Sequence, residues 1–370
     1  MTEQPGPMTI VIATDSTAPS GVGEHMLALA KVLRGSHSVF VGFSIKGSGA
    51  TFLRRAQDNG IAAKAIDGDG ASLSPWLTEI SADLLHVHAG IAWEGHALAA
   101  AGRAAGVPVI RTEHLPYVLT DERQKQDHLL SIGLLDHTIF VSQATCESYR
   151  RAGASTLRCT TIQNGVLAPV PARSRAQTRA ALHISEDHLV VLTVARFTPQ
   201  KGHSHLIKAA ARVLQAGGHL RLLLVGDGPE RGSLDRLTNE LGIAASVQFM
   251  GERTDVADLL AAADLFALAS LFEGLPLVVL EAMAMSLPVV ASRIGGTCEA
   301  LGADYPWLVD AADEVALAET LTGALADSTM RRRLGDRNRL RFEAQFTAKR
   351  MATETAALYR SVVSERLLLS

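Results

Sequence analysis

The chain has 370 residues, 47% of them hydrophobic and 20% charged, the composition of an ordinary soluble protein able to bury a large core. This length exceeds the size at which one hydrophobic core stops growing, so two domains are expected. A net charge of −3, from 35 basic and 38 acidic residues, offers no basis for a nucleic-acid partner.

Cys146, Cys159 and Cys298 are too few and too far apart for a disulfide framework or a structural zinc site, so reduced, cytoplasmic cysteines are expected. The opening Met-Thr-Glu-Gln-Pro-Gly-Pro lacks the basic and long apolar regions of a signal peptide, and no export is expected. The most apolar stretch, 259–291, contains Asp264, Glu273 and Glu281, which would be costly in a bilayer, and reads as buried core.

In chain order, β-branched runs at 9–13, 38–43, 84–88, 107–111 and 137–142 alternate with stretches of helical period, the signature of a doubly wound parallel sheet. After the first run comes Ser20-Gly21-Val22-Gly23-Glu24-His25-Met26, whose glycines allow backbone N–H groups to approach an anion at a helix start. Met26 stands where the dinucleotide fingerprint needs its third glycine, and the end of the second strand lacks the ribose-binding acid. An NAD-dependent oxidoreductase is therefore an alternative of a different reaction class. Asp67-Gly68-Asp69, among glycines, reads as a plain turn rather than a metal–nucleotide chelate.

Three histidines gather at strand ends in this half. His86 reads as a structural group, whereas His88 and His114 directly follow strands and are equally suited to roles in a ligand crevice. His86 and His88, at i and i+2, are read as addressing opposite faces, so no metal site is expected.

After Asn164-Gly165, the proline-bearing polar segment 168–179 reads as a linker. A second βα series follows, with strands at 189–195, 221–226, 247–250, 265–268 and 289–291. Two Rossmann-like lobes facing a cleft are expected. The first of these strands ends in Arg196-Phe197-Thr198-Pro199-Gln200-Lys201-Gly202, two cations in one loop, suited to a diphosphate and to the charge that grows as it departs. Gly226-Asp227-Gly228-Pro229-Glu230 forms a tight turn on the same rim.

Strand 265–268 leads into Glu273-Gly274-Leu275-Pro276-Leu277-Val278-Val279-Leu280-Glu281, with Pro276 as a first-turn helix residue. The backbone N–H groups of Gly274, Leu275 and Leu277 then stand at a helix N-terminus, suited to phosphate and sugar oxygens. Glu281, flanked by Val278, Val279, Leu280, Ala282 and Met283, reads as an acid with a role, since an unpaired one is costly there. Beyond Asp327 an arginine-rich helical stretch reads as a solvated face, with an anionic membrane surface as the other reading.

These motifs together, Arg196 to Gly202, Val225 to Pro229, Glu273 to Glu281 with Ala-Met-Ala, Gly295-Gly296 with Glu299, and Gly251-x-x-x-Asp255-Val256, resemble glycosyltransferase family 4, retaining enzymes of GT-B architecture. The resemblance spans nearly the whole chain. It implies an acceptor-binding Rossmann-like domain at 1–167, a linker at 168–187, a nucleotide-sugar-binding domain at 188–345 and a C-terminal helix, 346–370, that returns to the first domain. It further implies that Arg196 and Lys201 hold the diphosphate, Glu281 the ribose and Glu273 the donor-sugar hydroxyls. Gly251 to Asp255 would border the base, Gly21 or Gly23 would approach the diphosphate, and His114 would lie near the reacting sugar.

The activity implied is transfer of a hexosyl unit from a nucleoside diphosphate sugar, UDP-sugars being the commonest donors, to an acceptor hydroxyl with retention and without a metal. A nucleotide-sugar epimerase of the same architecture is the nearer alternative. The acceptor, whether small molecule, glycan or lipid-linked, is left open, with 114–123 as the loop that would select it. Two departures stand out: Ser286 occupies a position where the family commonly has glycine, and Ser20-Gly21 replaces a glycine pair.

Overall fold

The computed structural model describes residues 6–154, 158–185 and 187–369, which fall into two compact units, 1–166 with 346–370, and 167–345. The first unit contains β1 (Thr9–Thr14), β2 (Ser38–Ser44), β3 (Ala62–Ile66), β4 (Leu84–Ala89), β5 (Val109–Glu113), β6 (His137–Phe140) and β7 (Cys159–Thr161). They form one sheet in the order β3-β2-β1-β4-β5-β6-β7, and every pairing is parallel. Both faces of this sheet are covered, which explains the unbroken apolar run of β1. Ile10 and Ile12 join a core with Met26, Leu29 and Phe43, while Val11 and Ala13 join another with Trp76, Leu77 and Leu98.

The last helix, Ala348–Leu369, packs on helix Ser20–Leu33 and adds Met351, Ala352, Ala356, Tyr359 and Val362 to the first of those cores. The outgoing and returning chain are tied together, Val166 N–H donating to Phe346 O (2.9 Å) and Ala348 N–H to Val166 O (3.0 Å). A Cβ on Gly165 would fall on the backbone of Thr347, so glycine lets these two segments touch.

The second unit contains β8 (Val190–Val194), β9 (Arg221–Val225), β10 (Val247–Gly251), β11 (Leu265–Leu268), β12 (Val289–Ser292) and β13 (Leu308–Val309). Their order, β10-β9-β8-β11-β12-β13, repeats that of the first unit and is again parallel. The fold is thus the expected GT-B pair of Rossmann-like domains, and each sheet reverses its strand order beside its first strand.

Segment 168–187, read as a linker, belongs to the second unit. It carries helix Arg175–Ala181, capped by a reciprocal Ser174–Gln177 pair. Its arginines, which made it look like exposed chain, are neutralised by acids of the domain: Arg173 by Asp255 and Asp258, and Arg175 by Asp264 (2.6 Å).

The arginine-rich helix Ser328–Gln345 is similarly engaged. Arg331 donates to the carbonyls of Ala324 and Leu325 (2.7 and 2.6 Å), Arg337 pairs with Asp304 (2.8 Å), and Arg341 donates to Ala300 O (2.7 Å). Among the described residues no helix is long and apolar enough to cross a membrane.

Candidate functional site

The loops after β8, β9 and β10 are laced by backbone hydrogen bonds: Phe197 N–H to Asp227 O (2.8 Å), Glu230 N–H to Phe197 O (3.0 Å) and Gly226 N–H to Gly251 O (2.8 Å). Phe197 is fully buried between the rings of His203 and Phe249 (4.8 and 5.9 Å between centroids). Anchoring Phe197 leaves its neighbour Arg196 facing outward, exposed and without an ion pair among the described residues.

Lys201 closes a short 3-10 turn, Pro199–Lys201, and Gly202 then adopts φ +61° directly against Ala269 O, where a side chain would collide. The turn is stitched to the loop after β11 by Leu271 N–H to Gln200 O (2.7 Å) and Gln200 Nε2 to Phe272 O (3.0 Å). This stitching brings Lys201 Nζ to 2.5 Å from Glu273 Oε1, the oxygen that also accepts from Ser270 Oγ (2.7 Å). Glu273 is only 7% exposed, and its Oε2 has no partner among the described residues. The carboxylate is therefore oriented by two donors on one oxygen, and the other is left open.

The helix that follows runs Leu277–Ala284 with Pro276 as its N-cap, so it starts one residue after the expected Pro276. Gly274 and Leu275 are buried; Leu277 and Glu281 are half-buried on the helix itself. Behind this loop, helix Gly295–Leu301 presents Gly296, whose Cβ would strike the Gly274 carbonyl. Gly296 thus lets one helix N-terminus press against the backbone that carries Glu273, a supporting role visible only in three dimensions.

Two expected ligands are otherwise placed. Asp255 is paired with Arg173 and, by Arg253 Nε and Nη2, at 2.8 and 2.7 Å, and Arg253 chiefly holds its carboxyl below the usual range. Its carboxylate holds the Arg173 and Arg253 side chains rather than standing open, whereas Gly251 (φ +67°) has open space beside it. Gly23 is buried against the Phe52 ring, so its lack of a side chain serves packing; Gly21 is the exposed glycine of the pair.

In the first unit, His86 and His88 lie on the same face of β4, their rings 4.1 Å apart, because side chains alternate with a period of two. The reading that they address opposite faces was wrong. His25, Asn164 and Tyr359, not anticipated as site residues, complete the group. His25 Nδ1 lies 3.0 Å from Asn164 Oδ1, His86 bonds Tyr359 Oη and Thr112 Oγ1 (2.5 and 2.7 Å), and His88 Nδ1 lies 2.9 Å from His114 Nε2.

Burial holds the pKa of His25 at about 4 and keeps His86, His88 and His114 well below 6.5, so these rings are neutral at pH 7. One nitrogen from each of His25, His88 and His114 lies within 4.8 Å of the others, close enough for a shared ion. The acid next to His114 is not available to offset a dication, since Glu113 is buried and bound to Arg111 (2.6 Å) and Tyr149 (2.8 Å). Nothing in sequence spacing links His25 to a residue 139 positions away.

A family model described as Glycosyl transferases group 1 matches residues 174–341, and one described as Glycosyltransferase Family 4 matches 19–167. The chain is similar to N-acetyl-alpha-D-glucosaminyl L-malate synthase of Bacillus anthracis, 31% identical over 52% of this chain and 51% of that protein. It is similar also to a GDP-mannose-dependent monoacylated alpha-(1-6)-phosphatidylinositol monomannoside mannosyltransferase of Corynebacterium glutamicum, 30% identical over 61% and 62% of the two chains. The match thus spans about half to two-thirds of the length of these curated relatives.

Among solved structures, Anabaena HepE in complex with UDP and glucose superposes with a TM-score of 0.82 over 96% of this chain and all of that one, at 23% identity. Sucrose-phosphate synthase of Thermosynechococcus elongatus does so at 0.75 over 97% and 100%, at 22% identity. At these identities the likeness is one of fold. With one family model laid on each of its two Rossmann-like units, the chain belongs to glycosyltransferase family 4, its second unit being a group 1 glycosyl transferase domain.

Proposed function

We propose that the chain transfers a hexosyl unit from a nucleoside diphosphate sugar to an acceptor hydroxyl, with retention of anomeric configuration. The observation that carries this reading is the Lys201–Glu273 pair, with the exposed Arg196 in the same loop as Lys201. A cation suited to a diphosphate thus adjoins a carboxylate with one oxygen open. Arg196 and Lys201 stabilise charge on the departing diphosphate, Glu273 Oε2 accepts from a donor-sugar hydroxyl, and Glu281 binds the ribose. The bond from C1 to the diphosphate oxygen breaks and a bond from C1 to the acceptor oxygen forms on the same face. The acceptor proton passes to the leaving phosphate oxygen, and no metal is required.

UDP is the favoured nucleotide, a reading supported by the UDP-bound fold neighbour, and GDP is the other candidate, since the corynebacterial relative is named for GDP-mannose. The test is a thermal-stability titration with UDP, GDP, ADP and NAD, followed by turnover of the matching nucleotide sugars with and without an added acceptor. UDP is expected to raise the melting temperature, and sugar to reach product only with acceptor present. Release of free sugar and nucleotide without acceptor would favour the epimerase alternative, and a shift with NAD alone would favour the oxidoreductase.

A further inference from the structure

We propose that His88 holds His114 in its Nδ1-protonated tautomer, so that His114 offers a ligand hydroxyl an N–H and no basic nitrogen. The effect on transfer named below rests on the function proposed above; the tautomer does not.

His88 is fully buried, and its Nδ1 lies 2.9 Å from His114 Nε2. Between two neutral rings a single proton occupies that contact, which leaves two arrangements. If His114 Nε2 carries it, the proton of His88 must sit on Nε2, an atom that is buried and has no hydrogen-bond partner. The neighbouring rings give no relief: both nitrogens of His86 are engaged by Tyr359 and Thr112, and His25 Nδ1 is engaged by Asn164. A bare buried N–H is the rarer and costlier kind of orphan. If instead His88 Nδ1–H donates to His114 Nε2, His88 Nε2 keeps only a lone pair and the orphan donor disappears.

The second arrangement places the proton of His114 on Nδ1. That nitrogen has no partner among the described residues, and the ring is half-buried rather than enclosed. The backbone is fixed too, His114 N–H donating to Ala89 O at 3.0 Å. His114 therefore presents a fixed donor, at its accessible edge, to a ligand hydroxyl oxygen. Its lone pair on Nε2 is occupied by His88, so it takes no proton from a ligand. His88 acts through His114 and is a positioning residue.

The experiment is long-range proton–nitrogen NMR of the imidazoles in the full chain labelled with nitrogen-15, with His114 assigned by loss of its signals in His114→Gln. The Nδ1-protonated pattern is expected for wild-type His114; the Nε2-protonated pattern would overturn the proposal. In His88→Leu the Nδ1 pattern should be lost and kcat for transfer should fall about tenfold, with KM for the nucleotide sugar nearly unchanged. In His88→Asn, whose amide nitrogen stands near the place of Nδ1, both should be largely restored. A fall in kcat with the tautomer unaltered would make the role of His88 merely structural and refute it. An unreactive wild type with the Nδ1 pattern intact would count against the proposed function and leave the tautomer standing.

Discussion

Lys201 and Glu273, 72 positions apart, meet as an ion pair at 2.5 Å with side chains 17% and 5% exposed. Removing one member of so enclosed a pair strands the other charge, so Lys201→Ala is expected to cost about 2–3 kcal/mol of stability as well as nearly all transfer. The double variant Lys201→Met, Glu273→Gln removes both charges and should regain most of that stability without regaining activity. Arg196→Ala, at an exposed site, should depress transfer about a hundredfold while leaving the melting curve in place. Denaturant melts beside transfer assays check all three, and near-normal turnover in Arg196→Ala and the double variant alike would remove the proposed anion site.

Gly296→Ala places a methyl group against the Gly274 carbonyl and must push back the loop that carries Glu273. A loss of about 1–3 kcal/mol is expected, accompanied by weaker binding of the nucleotide sugar. Calorimetric titration of the purified variant measures the second effect, and unchanged affinity would show that the loop does not contact the donor.

Ser286 follows helix Leu277–Ala284 and its Met285 cap with φ +57°, a conformation that costs a side-chain-bearing residue energy and glycine very little. Ser286→Gly, which restores the residue common in the family, is expected to stabilise the fold by about 0.5–1 kcal/mol with activity unchanged. The midpoint of a urea melt reports the gain directly.

Folding lowers the pKa of His25, His128 and His203 to about 4 and holds His86, His88 and His114 well below 6.5, in each case chiefly through burial. Below pH 6.5 the unfolded chain therefore binds more protons than the native one. This contribution is fully present above that pH and is lost as the pH falls towards 4, at up to about 1.4 kcal/mol per pH unit for each ring. Asp15 and Glu94, whose carboxyls burial raises, act in the opposite direction. Urea midpoints measured from pH 7.5 to 5 should fall steadily, and a flat profile would mean that the histidine rings are hydrated in the native state.

Much of the fold was legible because the signals are local. Apolar runs at β1, β4, β8, β9 and β11 mark strands buried on both faces, and the loops after β8 and β11 carry Arg196, Lys201 and Glu273 in a recognisable order. Less was legible where function of a residue depends on distant chain. Helix Arg175–Ala181 was hidden by arginines whose acidic partners lie more than 80 positions onward, and edge strands β3, β7 and β13 are short or half exposed, so they lack an apolar run. Asp255 could be placed beside Gly251 from its spacing, but not its engagement by Arg173 and Arg253.

By itself, then, the sequence determined two Rossmann-like units, the family, and a set of residue types suited to an anion, since periodicity and strand-end motifs are properties of neighbouring residues. Only the tertiary structure decided that Ser270 and Lys201 share one oxygen of Glu273 and leave the other open, that Gly296 braces the same loop, and that His86 and His88 share a face with His114 and His25. Hydrogen bonds and close contacts of that kind act over a few ångströms, and chain folding alone brings residues dozens of positions apart within that range.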